Sequence, residues 1–302
     1  MPVAVIAHAD KRLGGGLPEL RATLAKEGYP DPIWYEVPKS RKAPKRVRDA
    51  ISRGADLIFV WGGDGTVQRC VDAVAGSQVA LAILPAGTAN LLATSLQIPA
   101  DITEAVRIGL HGRRRPMDTG SVNGEHFAVM AGAGFDADMI KQADAGLKDR
   151  LGRAAYLYTG ARSLAASRVK AKIKVDGKAF HSGKVSCVLA GNVGKVLGGI
   201  EVFPGARTDD GQLELGVVTA SNPMQWARVF GRLAAGNGAS SPFVRLTCGK
   251  QFKLRFDQPF RYELDGGARP AVTKLRIRVH PASVTICVPA ESPDDRKEDQ
   301  FA

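Results

Sequence analysis

Residues 56–68 read DLIFVWGGDGTVQ. A short apolar run breaks into three glycines with one carboxylate, Asp64, set among them. A buried strand that leaves its sheet through a glycine loop into a helical pattern, here VQRCVDAVAG, is the repeating unit of an α/β sheet. The same unit recurs on both sides. VAVIAH (3–8) precedes an amphipathic stretch from Leu17 to Glu27, and PIWYEV (32–37) precedes a basic helix ending near Arg53. VALAIL (79–84) leads into PAGTANLLATSL. Apolar strands alternating with helices over the first 110 residues or so predict a parallel sheet covered on both faces. Ligands in such sheets bind beyond the carboxyl ends of the strands, the edge at which GGDGT and PAGTAN both emerge.

After about residue 112 the texture changes. HFAVMAG (126–132), KAKIKVDG (170–177), KVSCVLAGN (184–192), QLELGVV (212–218), KLRFD (253–257), KLRIRVH (274–280) and VTICVP (284–289) are short alternating runs. Turn signals such as VDGK, DDGQ and LDGG separate several of them, which predicts an antiparallel β domain. One helix is expected from Arg150 to Ala166.

The 302 residues exceed the usual size of a single core, so two domains are expected. The four cysteines, Cys70, Cys187, Cys248 and Cys287, form no CxxC pair and read as reduced thiols of a cytoplasmic protein. No apolar run approaches the ~18 residues that cross a bilayer, and the first residues read as a buried strand rather than a leader. The net charge is +12, with Lys39, Arg41, Lys42, Lys45, Arg46 and Arg48 crowded into one stretch and Arg113–Arg115 in another. Such patches suit an anionic membrane or a nucleotide. Without interleaved aromatics or a recognisable nucleic-acid motif, nucleic acid is not an expected partner.

The glycine loop lacks the Lys-Ser/Thr of a Walker A loop and the spacing of a dinucleotide GxGxxG. Its glycines allow close approach to a bulky anion, and its amides can donate to phosphate at a helix start. A bare carboxylate would repel that phosphate unless a divalent cation lay between, so Asp64 points to Mg²⁺, directly or through water. A tight turn with Asp64 capping the helix is the competing reading.

GGDGT, then LPAGTANLLA, then MDTGSVNGEHFAVMAGAGFDADMI resemble the bacterial diacylglycerol kinase family, which includes sphingosine and ceramide kinases. AGNVGKVLGGIEVFPGARTDDGQLELGVV resembles its second-domain signature, and LDGG its catalytic Asp-Gly-Glu. The resemblance implies a nucleotide-binding α/β domain (1–112) and a β-sandwich domain for lipid and metal (113–289), with the active site in the cleft. A polar tail (290–302) would return to the first domain or stay free. It implies ATP, Mg²⁺ and γ-phosphoryl transfer to a lipid hydroxyl. By position, Gly62, Gly63, Asp64, Gly65, Thr66, Val67, Gln68, Gly87 and Thr88 would hold the nucleotide. Arg207, Asp210 and Gln212 would form a metal site, Asp210 through its side chain and the flanking two through carbonyls. Asp265 would be the base; a hairpin tip is the competing reading, and the two are compatible.

Several positions depart from the family pattern. Asp265-Gly266-Gly267 lacks the second acid, so Asp265 acts alone, Glu263 or another acid substitutes, or turnover is slow. His8-Ala9-Asp10 replaces Asn-Pro, no threonine follows the second strand near Val37-Pro38, and Gln68-Arg69 replace Asn-Glu. The expected protein docks transiently on the inner face of the membrane, with diacylglycerol as first substrate. Sphingoid bases, other acylglycerols and polyprenols stay open, as does a homodimer. A soluble-substrate kinase of the NAD-kinase type and a nucleotide binder without catalysis are the alternatives.

Overall fold

The computed structural model describes residues 1–134, 168–196 and 200–290. The helix expected over 150–166 and nearly all of the polar tail lie outside these. Two compact units divide the chain: Met1–Met117 with Ala282–Ala302, and Asp118–Pro281.

In the first unit β1 (Val3–His8), β2 (Ile33–Val37), β3 (Leu57–Gly62) and β4 (Ala80–Pro85) pair in the order β2–β1–β3–β4, all parallel. Thr285 and Ile286 add to the far edge, parallel to Ala80 and Leu81. Every residue of β3 and β4 is buried, as strands covered on both faces must be. Phe59 and Trp61 are wholly enclosed, each worth about 1.5–3 kcal/mol of transfer free energy. The covering helices are α1 (Gly16–Lys26), α2 (Ala43–Ser52), α3 (Asp64–Val74), the single turn α4 (Leu91–Ser95) and α5 (Ile102–His111). Asp101 starts α5 by accepting the Glu104 N–H at 2.8 Å. Gly109 of α5 lies so close to Phe59 that a Cβ there would sit 2.3 Å from the ring.

β5 (Arg113–Val122) leads into the second unit, which is antiparallel. β6 (Glu125–Phe127), β7 (Met130–Ala133), β8 (Val169–Val175), β9 (Lys178–Val185) and β10 (Cys187–Gly191) come first. After a small ribbon of β11 (Lys195–Val196) and β12 (Ile200–Glu201) follow β13 (Leu213–Val218), β14 (Val244–Gly249), β15 (Gln251–Leu264) and β16 (Gly267–Val288). β15 serves two neighbourhoods: Phe252–Phe256 pair with β8, whereas Tyr262–Leu264 pair with β7, across register shifts between Arg255 and Tyr262. Phe127, Phe252, Leu215 and Leu264 anchor the core.

Two local readings need correction. HFAVMAG is not one strand: it breaks at Ala128-Val129, whose amides turn to a carboxylate from β15–β16. The run 221–234, unassigned from sequence, is helix α6 (Pro223–Ala234). Asn222 caps it by accepting the Gln225 N–H at 3.0 Å, with proline in the first turn, a start signal present in the sequence.

Candidate active site

β3 and β4 are neighbours and parallel, with Gly62 beside Pro85, so the loops after them emerge together. They touch backbone to backbone. A Cβ on Gly87 would lie 2.4 Å from the Gly63 Cα and 2.6 Å from the Asn90 Oδ1. Gly62 is constrained in turn by Thr66, whose side chain a Cβ would meet at 2.6 Å. These glycines are required by crowding rather than by unusual dihedrals.

Asn90, at φ 46°, organises the second loop. Its Oδ1 accepts the Gly87 N–H at 2.9 Å, and its Nδ2 donates to the carbonyls of Pro85 and Gly87. Asp64 joins the loops: its Oδ1 accepts the Leu91 N–H at 2.5 Å, so the acid that begins α3 caps the start of α4. Burial pushes the Asp64 carboxyl above its ordinary range; the N–H groups of Leu91, Asp64 and Asn90 and the charge of Lys11 pull the other way. A carboxyl whose burial opposes its charge, set at the junction of two loops, marks a candidate functional site.

Of the expected nucleotide residues, Gly65 and Thr88 are exposed and Asp64 and Gly87 partly so. Thr66, Val67 and Gln68 have buried side chains. The Thr66 hydroxyl meets the Ser40 hydroxyl at 2.9 Å. Lys11 and Ser40 are sequence-distant companions of the loop that no local motif marks. Lys11 sits in the turn after β1, where the Trp61 indole donates to its carbonyl at 3.2 Å.

In the second unit Asp265 and Gly266, at φ 45° and 75°, form the two-residue tip joining β15 to β16. This is the left-handed pair that Asp-Gly favours. The tip folds inward: Asp265 is 3% exposed. Its Oδ1 accepts the N–H groups of Val129 and Met130 at 2.9 and 2.8 Å, its Oδ2 that of Ala128 at 2.8 Å. The Asp265 N–H donates to the Met130 carbonyl at 2.9 Å. At Gly267, where the family pattern carries an acid, a Cβ would lie 2.8 Å from Nη1 of Arg269. That guanidinium grips Glu125 through Nε and Nη2 at 2.8 and 2.5 Å and donates to the Gly267 carbonyl at 2.8 Å. Glu263 is buried.

The loop holding Arg207, Asp210 and Gln212 hangs on Asp118. Asp118 accepts the Gly211 N–H at 2.6 Å, and its own N–H donates to the Thr208 carbonyl at 2.6 Å. Asp210 is exposed and its Oδ1 accepts the Gln212 N–H at 2.9 Å. The Arg207 guanidinium turns to Asp209 at 3.5 Å. Burial and the charge of Asp210 push the Glu214 carboxyl up. Among the described residues no three acidic, histidine or cysteine side chains converge on one point. A single carboxylate at each site would suit Mg²⁺, which keeps much of its water, better than a cation held by an all-protein cage.

Residues 8–122 match the family described as the diacylglycerol kinase catalytic domain. Residues 129–288 match the YegS C-terminal NAD kinase beta sandwich-like domain. A Pseudomonas aeruginosa protein named "Probable lipid kinase YegS-like" is 32% identical, the match covering 83% of this chain and 82% of that one. The diacylglycerol kinase of Bacillus subtilis is 30% identical over 74% of this chain and 75% of its own. A crystal structure titled as a diacylglycerol kinase from Bacillus anthracis superposes with a TM-score of 0.76 at 22% identity, covering 97% of this chain and 98% of that one. An NAD kinase from Archaeoglobus fulgidus solved with ATP shares the fold at a TM-score of 0.56 and 10% identity, over 100% of this chain and 97% of that one.

Proposed function

We propose that this chain, which belongs to the diacylglycerol kinase and YegS-like lipid kinase family, transfers the γ-phosphoryl group of ATP to the hydroxyl of a membrane lipid, diacylglycerol first. Kinase activity follows from the family; the acceptor and the metal are our reading. The observation that carries it is the joint between the glycine loops, where the Gly63–Gly87 contact and the Asp64–Leu91 bond set a partly buried acid in loops whose Gly65 and Thr88 are exposed.

The amides of Gly65 and Thr88 are the donors proposed for the nucleotide phosphates, at a loop edge built for anions. Lys11 would add positive charge. Asp64 would hold Mg²⁺ directly or through water, and Asp210 with the carbonyls of Arg207 and Gln212 would hold a second ion that braces the loop. When bound, Mg²⁺ neutralises charge on the phosphates as the phosphoryl group moves. Phosphoryl transfer through a loose transition state asks mainly for positioning, and little base strength from the protein. We assign Asp265 to orienting the lipid hydroxyl and accepting its proton late. Three amide bonds hold that carboxylate in one orientation.

The test offers diacylglycerol, sphingosine and polyprenol in mixed micelles, and NAD without lipid, each with labelled ATP and Mg²⁺ or chelator. Mg²⁺-dependent label in diacylglycerol is expected. Label in NAD alone would assign a soluble-substrate kinase, and ATP binding without transfer a silent binder.

A further inference from the structure

The register of the second unit assembles a surface that no single segment of the chain announces. Lys174, Lys253 and Arg276 stand in one row across β8, β15 and β16, and Lys172, Arg255 and Lys274 in the next. All six are exposed, while the residues alternating with them, such as Ile173, Leu254 and Leu275, are buried. Strand spacing packs the grid into about 10 Å by 7 Å of sheet. No acid occupies any of its positions, and none of the six has an ion-pair partner among the described residues. Like charges directly opposed across strands cost stability, and a face kept only for solubility mixes both signs. A recess of about 440 Å³ adjoins the grid at Lys172 and Arg255, where Lys170 and Lys184 add positive charge and Asp257 is the one acid of the lining.

We propose that this face of β8–β15–β16 is the surface on which the chain docks to an anionic phospholipid bilayer. The inference rests on the lipid-kinase reading, since a kinase without a membrane-crossing helix among its described residues must reach a substrate held in a bilayer. Charge complementarity selects the partner: a flat single-sign face matches a sheet of headgroup phosphates. Duplex nucleic acid is less suited, because a flat sheet face does not enter a groove and no aromatic stands among the outward positions to stack a base. The α2 cations and Arg113–Arg115 are less well placed. Arg46 lies over the Tyr35 ring at 5.1 Å, and Arg114 turns to the Met1 sulfur at 2.7 Å.

The experiment is sedimentation of the full chain with vesicles of phosphatidylcholine, with and without one-third phosphatidylglycerol. It compares wild type, the sheet variant Lys172→Gln/Lys253→Gln/Arg276→Gln, and a charge-matched control, Arg41→Gln/Lys45→Gln/Arg48→Gln, in the turn before α2 and on α2 itself. Each surface cation is worth about 5-fold in partition at low salt, so the sheet variant should bind anionic vesicles roughly 100-fold more weakly, and the control much less so. Binding should vanish on neutral vesicles and in ~1 M salt. The sheet variant should also melt no lower than wild type, because it loses repulsion and no core atom. Its turnover should fall on vesicle-borne diacylglycerol and stay unchanged on a water-dispersed short-chain one. Undiminished vesicle binding by the sheet variant, equal loss in the control, or displacement by DNA at matched phosphate concentration would each overturn the proposal. Wild type that phosphorylates no lipid but sediments through this face would leave the docking surface standing and refute only the substrate reading.

Discussion

Asp265→Asn replaces the motif acid by its nearest isostere, and the structure gives its cost. With the amide oxygen in the place of Oδ1, the bonds from Val129 and Met130 survive as neutral ones. The new NH₂ then faces the Ala128 N–H, donor against donor, where Oδ2 accepted it at 2.8 Å. One buried N–H without an acceptor costs about 1–3 kcal/mol, and weakening two charge-assisted bonds adds about 1 more, so the loss is ~3 kcal/mol. For a unit of this size that is a fall in Tm of roughly 6–12 °C. Asparagine tolerates the positive φ of 45°, so the backbone adds little. Asp265→Ala should fall further, since it loses all three acceptors and strains at that φ. Thermal unfolding by circular dichroism, run beside the transfer assay, checks this. A Tm within about 1 °C of wild type with transfer abolished would refute the reasoning and make Asp265 a chemical residue only. An alanine variant more stable than the asparagine one would refute it equally.

Gly87→Ala drives a methyl to 2.4 Å from the Gly63 Cα, so the loops must part; nucleotide affinity by calorimetry should drop at least about 10-fold, with ~1–3 kcal/mol of stability lost. Asp64→Asn should abolish transfer yet raise Tm at pH 7. Burial lifts the folded Asp64 pKa above its ordinary 3.8, so the advantage of the neutral form is present below that value and is lost as pH rises through the folded one. The gain should therefore shrink toward pH 4, and a Tm loss at neutral pH would contradict it. Thiol titration of the native chain should find one fast cysteine, exposed Cys248. Burial pushes Cys70 and Cys187 up and holds Cys287 near about 11, so these three should react only on unfolding.

What could be read from the residues was whatever is written locally. DLIFVWGG and VALAILPAG announce buried parallel strands and the loops that leave them, because five or six apolar residues ending in glycine have few other uses. Asp176-Gly177 and Asp265-Gly266 announce hairpins because their left-handed dihedrals favour those residues. What stayed hidden depends on meetings across space. The bond from Asp64 to Leu91 spans 27 positions. The cradle from Ala128–Met130 to Asp265 spans more than 130, and it splits a strand that alternation alone drew as continuous. The basic grid is the plainest case. KAKIK, KLR and KLRIR each read as an ordinary amphipathic strand, and only the register between them makes one face of a single sign. The cap at Asn222-Pro223 was legible and was missed because the run after it lies in a β-rich context.

The most direct test of the central claim is the rate of γ-phosphate transfer from labelled ATP to diacylglycerol micelles by wild type and Asp64→Asn, each with Mg²⁺ and with chelator. Label should enter the lipid only with wild type and Mg²⁺, with a drop of about 10³-fold or more in the variant if Asp64 stabilises the transition state through the metal. Label that survives Asp64→Asn, or wild type that binds ATP and labels no lipid, would contradict it.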